Sequence, residues 1–256
     1  MAFLFLASGV LAHVEHSKES EAIGLDQKLG QLIPLDLRFT DENGRPVTSG
    51  ELVHAPTILA LVYLHCPNVC SLLLQNLADA LNRLPAEPGK EYSALSISFD
   101  ETETPGFASE RKKVYLKMID RPFPADAWRF LTGDKEDIRK LADAVGFHFK
   151  RVGEDFEHPV ALIILAPDGR IVRYMYGADP LPFDLKLALI EASQGKIGPA
   201  IAKVVQFCFS YDRKANKLVF NILRVTGSVT ILFALGFVTF LLLKGRKRHP
   251  QEEQEK

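Results

Sequence analysis

Cysteine is scarce in this chain, with three in 256 residues. That excludes a disulfide scaffold and makes any cysteine pair a candidate for reaction or ligation instead. An excess of one charge is also missing: 31 Lys and Arg face 32 Asp and Glu. There is therefore no global basic footprint for nucleic acid, and no nucleic-acid partner is expected. No P-loop, dinucleotide fingerprint or zinc-protease motif occurs, and neither does an internal repeat or low-complexity tract. What is present is enough chain for one sizeable domain plus extras.

Two of the cysteines stand close together, in Thr57-Ile-Leu-Ala-Leu-Val-Tyr-Leu-His-Cys66-Pro-Asn-Val-Cys70-Ser. They fall where an apolar, strand-like run (57–64) gives way to a helix-like run (71–84). Two thiols at such a turn can form a disulfide, pass electrons or bind a soft metal. The spacing is Cys-x3-Cys, one residue longer than thioredoxin-type redox sites, which tilts the choice toward metal. A helical turn would place both sulfurs on one side, and a helix N-terminus favours thiolate. Thiolates select Cu(I), zinc or iron–sulfur clusters. Two cysteines are too few for a structural zinc site or a cluster, whereas Cu(I) accepts low coordination. A third, imidazole ligand would extend the site to Cu(II).

His158, in Glu157-His158-Pro159-Val160, can supply that imidazole, because the loop entering a neighbouring strand can approach the first strand-to-helix turn. Three other histidines are weaker candidates. His65 is expected to point away from Cys66, His54 precedes the strand, and His148 lies in the alternating stretch Phe147-His-Phe-Lys, on an exposed face.

The pattern around these residues alternates between strand and helix. Leu35 to Thr40 alternates, and Asp41-Glu-Asn-Gly44 supplies a turn, which predicts a hairpin. A buried central strand is expected over 57–64. Leu72, Leu73, Leu77, Ala80, Leu81 and Leu84 mark the apolar face of the next helix, which Pro85 stops. Strands over 92–99 and 128–131 alternate with helices over 109–119 and 135–145. Two more strands, 160–166 and 170–176, join through Pro167-Asp168-Gly169, and helices follow over 183–193 and 199–207. These elements predict an α/β fold, a mixed sheet flanked by helices with an N-terminal β-hairpin extension.

Both ends are apolar. Met1 to Ala12 resembles the hydrophobic and cleavage regions of a secretory signal without its positive n-region. A transmembrane helix is expected over 222–243, in which Val225 to Leu243 carries no charge and no proline. At ~1.5 Å per residue that run just crosses a ~30 Å hydrocarbon core. Lys244-Gly-Arg246-Lys247-Arg248 follows and predicts a cytoplasmic tail over 244–256. The expected arrangement is a single-pass protein of the inner membrane, with a globular domain over 25–207 on the extracytoplasmic (periplasmic) side. Cys208, between Phe207 and Phe209, then sits at the membrane interface.

Several blocks together carry a resemblance: Tyr63-Leu-His-Cys-Pro-Asn-Val-Cys-Ser, then Ser96-Ile-Ser-Phe-Asp100 with Pro105 behind it, then Phe130-Leu-Thr-Gly133, then His158 ahead of Ile163-Ile-Leu-Ala-Pro-Asp-Gly169. In this order, over Gly30 to Ser193, the chain resembles the Sco/SenC family. These are membrane-anchored, copper-binding proteins with a thioredoxin-like fold that serve assembly of the copper centre of cytochrome c oxidase. The resemblance implies copper, as Cu(I) or Cu(II), held by Cys66 and Cys70 as thiolates and His158 as imidazole. It implies as partners the copper-binding oxidase subunit and other periplasmic copper or thiol-redox proteins.

The sequence departs from the family pattern at four points. Asn68 stands where an acidic residue is common between the cysteines, and Glu101 where a proline usually follows Asp100. Pro159 occupies the position of a cis-proline that faces redox cysteines in thioredoxin-like folds, which leans toward redox chemistry. The anchor is C-terminal. A thiol–disulfide oxidoreductase using a redox-active Cys66–Cys70 disulfide is the competing reading, and a copper or redox sensor is a third.

Overall fold

A computed structural model of the chain describes residues 23–197, 209–212, 217–220 and 230, 233, 236 and 237. It divides into two compact units, 1–197 and 198–256. In chain order the first unit runs β1 (Gly24–Leu25), β2 (Arg38–Asp41), β3 (Pro46–Thr48), α1 (Ser49–Leu52), β4 (Thr57–Val62), α2 (Val69–Arg83), β5 (Ser93–Ser98) and α3 (Pro105–Leu116). It continues with β6 (Trp128–Gly133), α4 (Lys135–Ala144), β7 (Phe147–His148), β8 (Lys150–Val152), β9 (Asp155–Glu157), β10 (Ala161–Leu165), β11 (Ile171–Tyr176) and α5 (Pro182–Ser193). The second unit contains an antiparallel hairpin, β12 (Phe209–Asp212) with β13 (Lys217–Phe220).

Seven strands form one mixed sheet in the order β11-β10-β4-β5-β6-β2-β3. The centre is parallel, β4 to β5 to β6, and the flanking pairs are antiparallel. Crossovers through α2 and α3 join the parallel strands, as parallel pairing requires. Burial on both faces explains why β4, Thr57-Ile-Leu-Ala-Leu-Val62, is almost wholly apolar. β5 is equally buried yet carries three serines. Each is partnered: Ser93 by Thr57, Ser96 by the Trp128 indole N–H, and Ser98 by Glu103. The polar cost of those positions is thereby offset.

Apart from β1, α1 and the β12–β13 hairpin, which the sequence reading does not name, the strand and helix order follows the expectation, and three features differ. The hairpin β2–β3 is not an extension but the edge of the main sheet, paired to β6. Buried charges fix it there: Glu42 accepts from Lys112 at 2.6 Å, Arg129 at 3.1 Å and the Phe130 N–H at 3.1 Å, while Asp41 pairs with Arg129 at 2.5 Å. On α2 the buried stripe includes Leu73, Leu74, Leu77, Ala78 and Leu81, whereas Leu72 is half exposed. Finally, the segment after α4 forms β7, β8 and β9, short strands without a strong periodic signal.

Gly146 ends α4 at φ +66°, and a Cβ there would come within 2.0 Å of the Asp26 carbonyl oxygen. Only glycine combines that conformation with that approach. The contact lets the Asp26 N–H donate to the Gly146 carbonyl at 2.8 Å and seats β1 against β7.

Met1 to Ala12, the helix expected over 199–207, Cys208 and the tail after 243 lie outside the described residues. Within 222–243 only residues 230, 233, 236 and 237 are described, and these are helical. Among the described residues no helix is long and apolar enough to cross a membrane.

Candidate metal centre

The turn from β4 into α2 carries the first two site residues. Its backbone is held by Glu103, whose side chain is fully buried. The Glu103 carboxylate accepts the N–H groups of Leu64 at 2.9 Å and His65 at 2.7 Å, the Ser98 hydroxyl at 2.7 Å, and His65 Nδ1 at 2.8 Å. Past this anchor the Ser71 hydroxyl donates to the Cys66 carbonyl at 2.6 Å, and Arg111 in turn donates to Ser71.

Helix α2 begins at Val69, so Cys70 lies in its first turn and Cys66 just outside it. The N-cap residue, Asn68, makes no side-chain capping bond. The backbone N–H groups of Cys70 and Asn68 at this positive end of the helix favour the Cys66 thiolate.

Geometry divides the two thiols. Burial disfavours the Cys66 thiolate, but hydrogen bonds from the Tyr63 hydroxyl, those two N–H groups and the Cys70 side chain outweigh it, and the pKa is lowered. Burial pushes the Cys70 thiol strongly up. Hydrogen bonding from the Tyr63 backbone opposes this, and the neighbouring Cys66 and Glu103 charges reinforce it. The lowered thiol pKa expected at a helix N-terminus is found at Cys66, while burial overrides it at Cys70.

His158 arrives from the opposite side, immediately after β9 of the β8–β9 hairpin. Its ring packs against Tyr63, Phe99 and Phe147, with centroids 5.8, 5.2 and 6.3 Å away. Nδ1 lies 2.9 Å from the Pro159 carbonyl oxygen, which can only accept, so Nδ1 carries the proton. Burial lowers the His158 pKa despite that bond and keeps the ring neutral. Nε2 therefore carries no proton and accepts a hydrogen bond from the Cys70 thiol at 3.4 Å. This is the arrangement in which a carbonyl sets the tautomer of a metal-binding imidazole.

The ligand atoms of Cys66, Cys70 and His158 all lie within 4.8 Å of one another. Both cysteines are free thiols, 3% and 2% exposed. Two buried soft sulfurs and one partly buried imidazole make a donor set suited to copper or zinc. The three residues singled out in the sequence are the ones brought together.

The other histidines lie elsewhere. His65 turns out to solvent, stacked on Phe107 at 3.8 Å and tied to Glu103. His54 bonds the Glu51 carbonyl, and His148 bonds Asp26 from a half-buried position rather than an exposed face. No described peptide bond is cis, that of Pro159 included. Two residues that shape the site went unread in the sequence: Glu103, an acidic residue directly ahead of the Thr104-Pro105 helix start, and Asp155, which accepts the Tyr63 hydroxyl at 3.3 Å.

Known proteins share this architecture. A "putative electron transfer protein" of Aquifex aeolicus VF5 superposes with a TM-score of 0.60 at 30% identity, covering 66% of this chain and 96% of that one. A "putative copper-binding protein" of Stutzerimonas stutzeri is 27% identical over 57% of this chain and 73% of its own length. The mitochondrial protein SCO1 homolog 1 of Arabidopsis thaliana is 26% identical over 53% of this chain, which spans 40% of that protein. The SCO1/SenC family profile matches residues 26–183, a stretch that contains the Cys66–Cys70 turn, Glu103 and His158. With a thioredoxin-like sheet and this match over more than half its length, the chain belongs to the SCO1/SenC family.

Proposed function

We propose that Cys66, Cys70 and His158 hold one copper ion as cargo, and that the protein delivers it to the copper-binding subunit of cytochrome c oxidase. The observation that carries this reading is the convergence of two thiols and an unprotonated imidazole nitrogen within 4.8 Å. Two sulfurs suffice for Cu(I), and the imidazole completes a three-donor set that Cu(II) accepts. Binding displaces the thiol protons, so affinity rises with pH. Family membership supports the copper assignment and the oxidase as acceptor, and the Stutzerimonas relative carries copper binding in its name. In this reading 222–243 anchors the domain in the inner membrane on its periplasmic side. Tethering there raises its effective concentration near a membrane-embedded acceptor.

The unequal thiols favour a second reading, thiol–disulfide exchange. Cys66, with its lowered pKa, would attack and Cys70 would resolve. Copper titration of the reduced full chain in detergent, followed by absorption and EPR, separates the two. One tightly bound equivalent, with a thiolate-to-Cu(II) band lost in Cys66→Ser, is the expected result. Undiminished binding in the Cys66→Ser/Cys70→Ser protein would overturn the site. A readily formed Cys66–Cys70 disulfide without specific copper binding would select the oxidoreductase.

A further inference from the structure

The hairpin that leads into His158 has little of its own to hold it. β8 and β9 form a two-stranded sheet apart from the main one, and an isolated hairpin is marginal in water. All of β8 is exposed, and in β9 only Phe156 is buried. Phe156 fastens the inner face, its ring centroid 5.1 Å from Tyr63 and 5.2 Å from Phe99. Apolar contact is non-directional, so it leaves the tilt of the hairpin open.

Arg151 supplies a directional tie. It stands opposite Phe156 across the hairpin, with its guanidinium carbon 4.3 Å from the centre of that ring. From there Nη2 donates to Asp100 Oδ1 at 2.6 Å and reaches Glu101 Oε2 at 3.4 Å. The acceptor is itself fixed. The Phe99 N–H donates to the Val62 carbonyl at 2.8 Å, and the Asp100 N–H to the Ser98 hydroxyl at 3.1 Å. The Asp100 carboxylate also accepts the Thr102 N–H at 3.0 Å and hydroxyl at 2.7 Å. An exposed ion pair would be worth little. Here the side chains are 8% and 37% exposed, so the charge-assisted bond is partly shielded from water.

We propose that Arg151 is a positioning residue, a latch that seats the β8–β9 hairpin on Asp100 and so places the His158 imidazole for the metal. His158 follows directly on β9, so the seat of the hairpin decides where its ring stands. The inference rests on the reading of His158 as a copper ligand and names a residue, outside the ligand set, that governs it.

The test uses the reduced full chain in detergent. Arg151→Met keeps an apolar stem and removes the guanidinium. Cu(II) affinity is expected to fall about tenfold, the effect of disturbing a group that orients a ligand. Cu(I), for which two sulfurs suffice, should be bound much as before. Asp100→Asn should act in the same direction through the other half of the pair. In a His158→Ala background, Arg151→Met should change Cu(II) affinity by no more than about twofold, the margin for independent sites. A second readout needs no copper. In metal-free protein, NMR cross-relaxation between the His158 ring and the Tyr63 and Phe99 rings should be clear in wild type and weakened in Arg151→Met.

A fall in Cu(II) affinity of equal size with and without His158 would overturn the latch, since Arg151 would then act on the fold at large. So would ring contacts left unmoved by Arg151→Met. If wild type binds no copper, the copper reading fails, and the metal-free ring contacts still decide whether Arg151 seats His158.

Discussion

The buried Glu103 carboxylate accepts the backbone N–H of His65 at 2.7 Å, one residue ahead of Cys66. Four donors converge on this one side chain, two of them backbone N–H groups of the turn that carries the site. The carboxylate therefore acts as an internal template for a loop that has no regular secondary structure of its own.

Replacing Glu103 by Gln should therefore disturb both folding and the site. The amide NH2 would face N–H and O–H donors, leaving at least one buried group unsatisfied. A loss of about 2–3 kcal/mol is expected from the range for hydrogen bonds to a charged group, read from urea unfolding. Copper affinity should fall alongside it. Unchanged stability would show that the loop holds its shape without the carboxylate.

His158→Ala should separate the two chemistries of the site. The imidazole contributes one of three ligand atoms but neither sulfur, so Cu(II) binding should weaken by at least about tenfold, the lower end for disturbing a metal's coordination. Disulfide exchange through Cys66 and Cys70 should persist. An EPR titration beside a thiol-exchange assay checks both halves. Equal loss of both activities would mean that the imidazole supports the thiols rather than the metal.

Asp100 gives a pH dependence. Burial alone would raise its pKa, but the Thr102 N–H and hydroxyl and the Arg151 guanidinium, 2.6 Å away, outweigh burial and lower it. A carboxyl depressed in the folded state adds stability that is present above its unfolded pKa and is lost as pH falls through the folded one. Stability should accordingly decline below about pH 4, the unfolded aspartate range. Asp100→Asn should flatten that part of the curve in urea unfolding measured from pH 6 to pH 3. An unaltered acid limb would show that other carboxylates set it.

The sequence by itself determined the order of strands and helices, because burial imposes its own periods. The almost wholly apolar run 57–62 suits a strand covered on both faces, and Pro167-Asp-Gly169 suits a turn. It also pointed to Cys66, Cys70 and His158, since thiols and imidazoles are rare and their chemistry is specific to residue type. Tertiary structure decided the rest, because it depends on which neighbours meet across long separations. Leu72 and Leu74 are equally apolar on paper, and only the packing of α2 buries Leu74 and leaves Leu72 half exposed. Likewise two cysteines at one turn are chemically identical until the fold gives Cys66 the N–H groups of the helix end and encloses Cys70 beside His158. Glu103 and Asp155 read as ordinary surface acids in the chain. Their partners lie 38 and 92 residues away, at His65 and Tyr63, and no local pattern records a contact made at that distance.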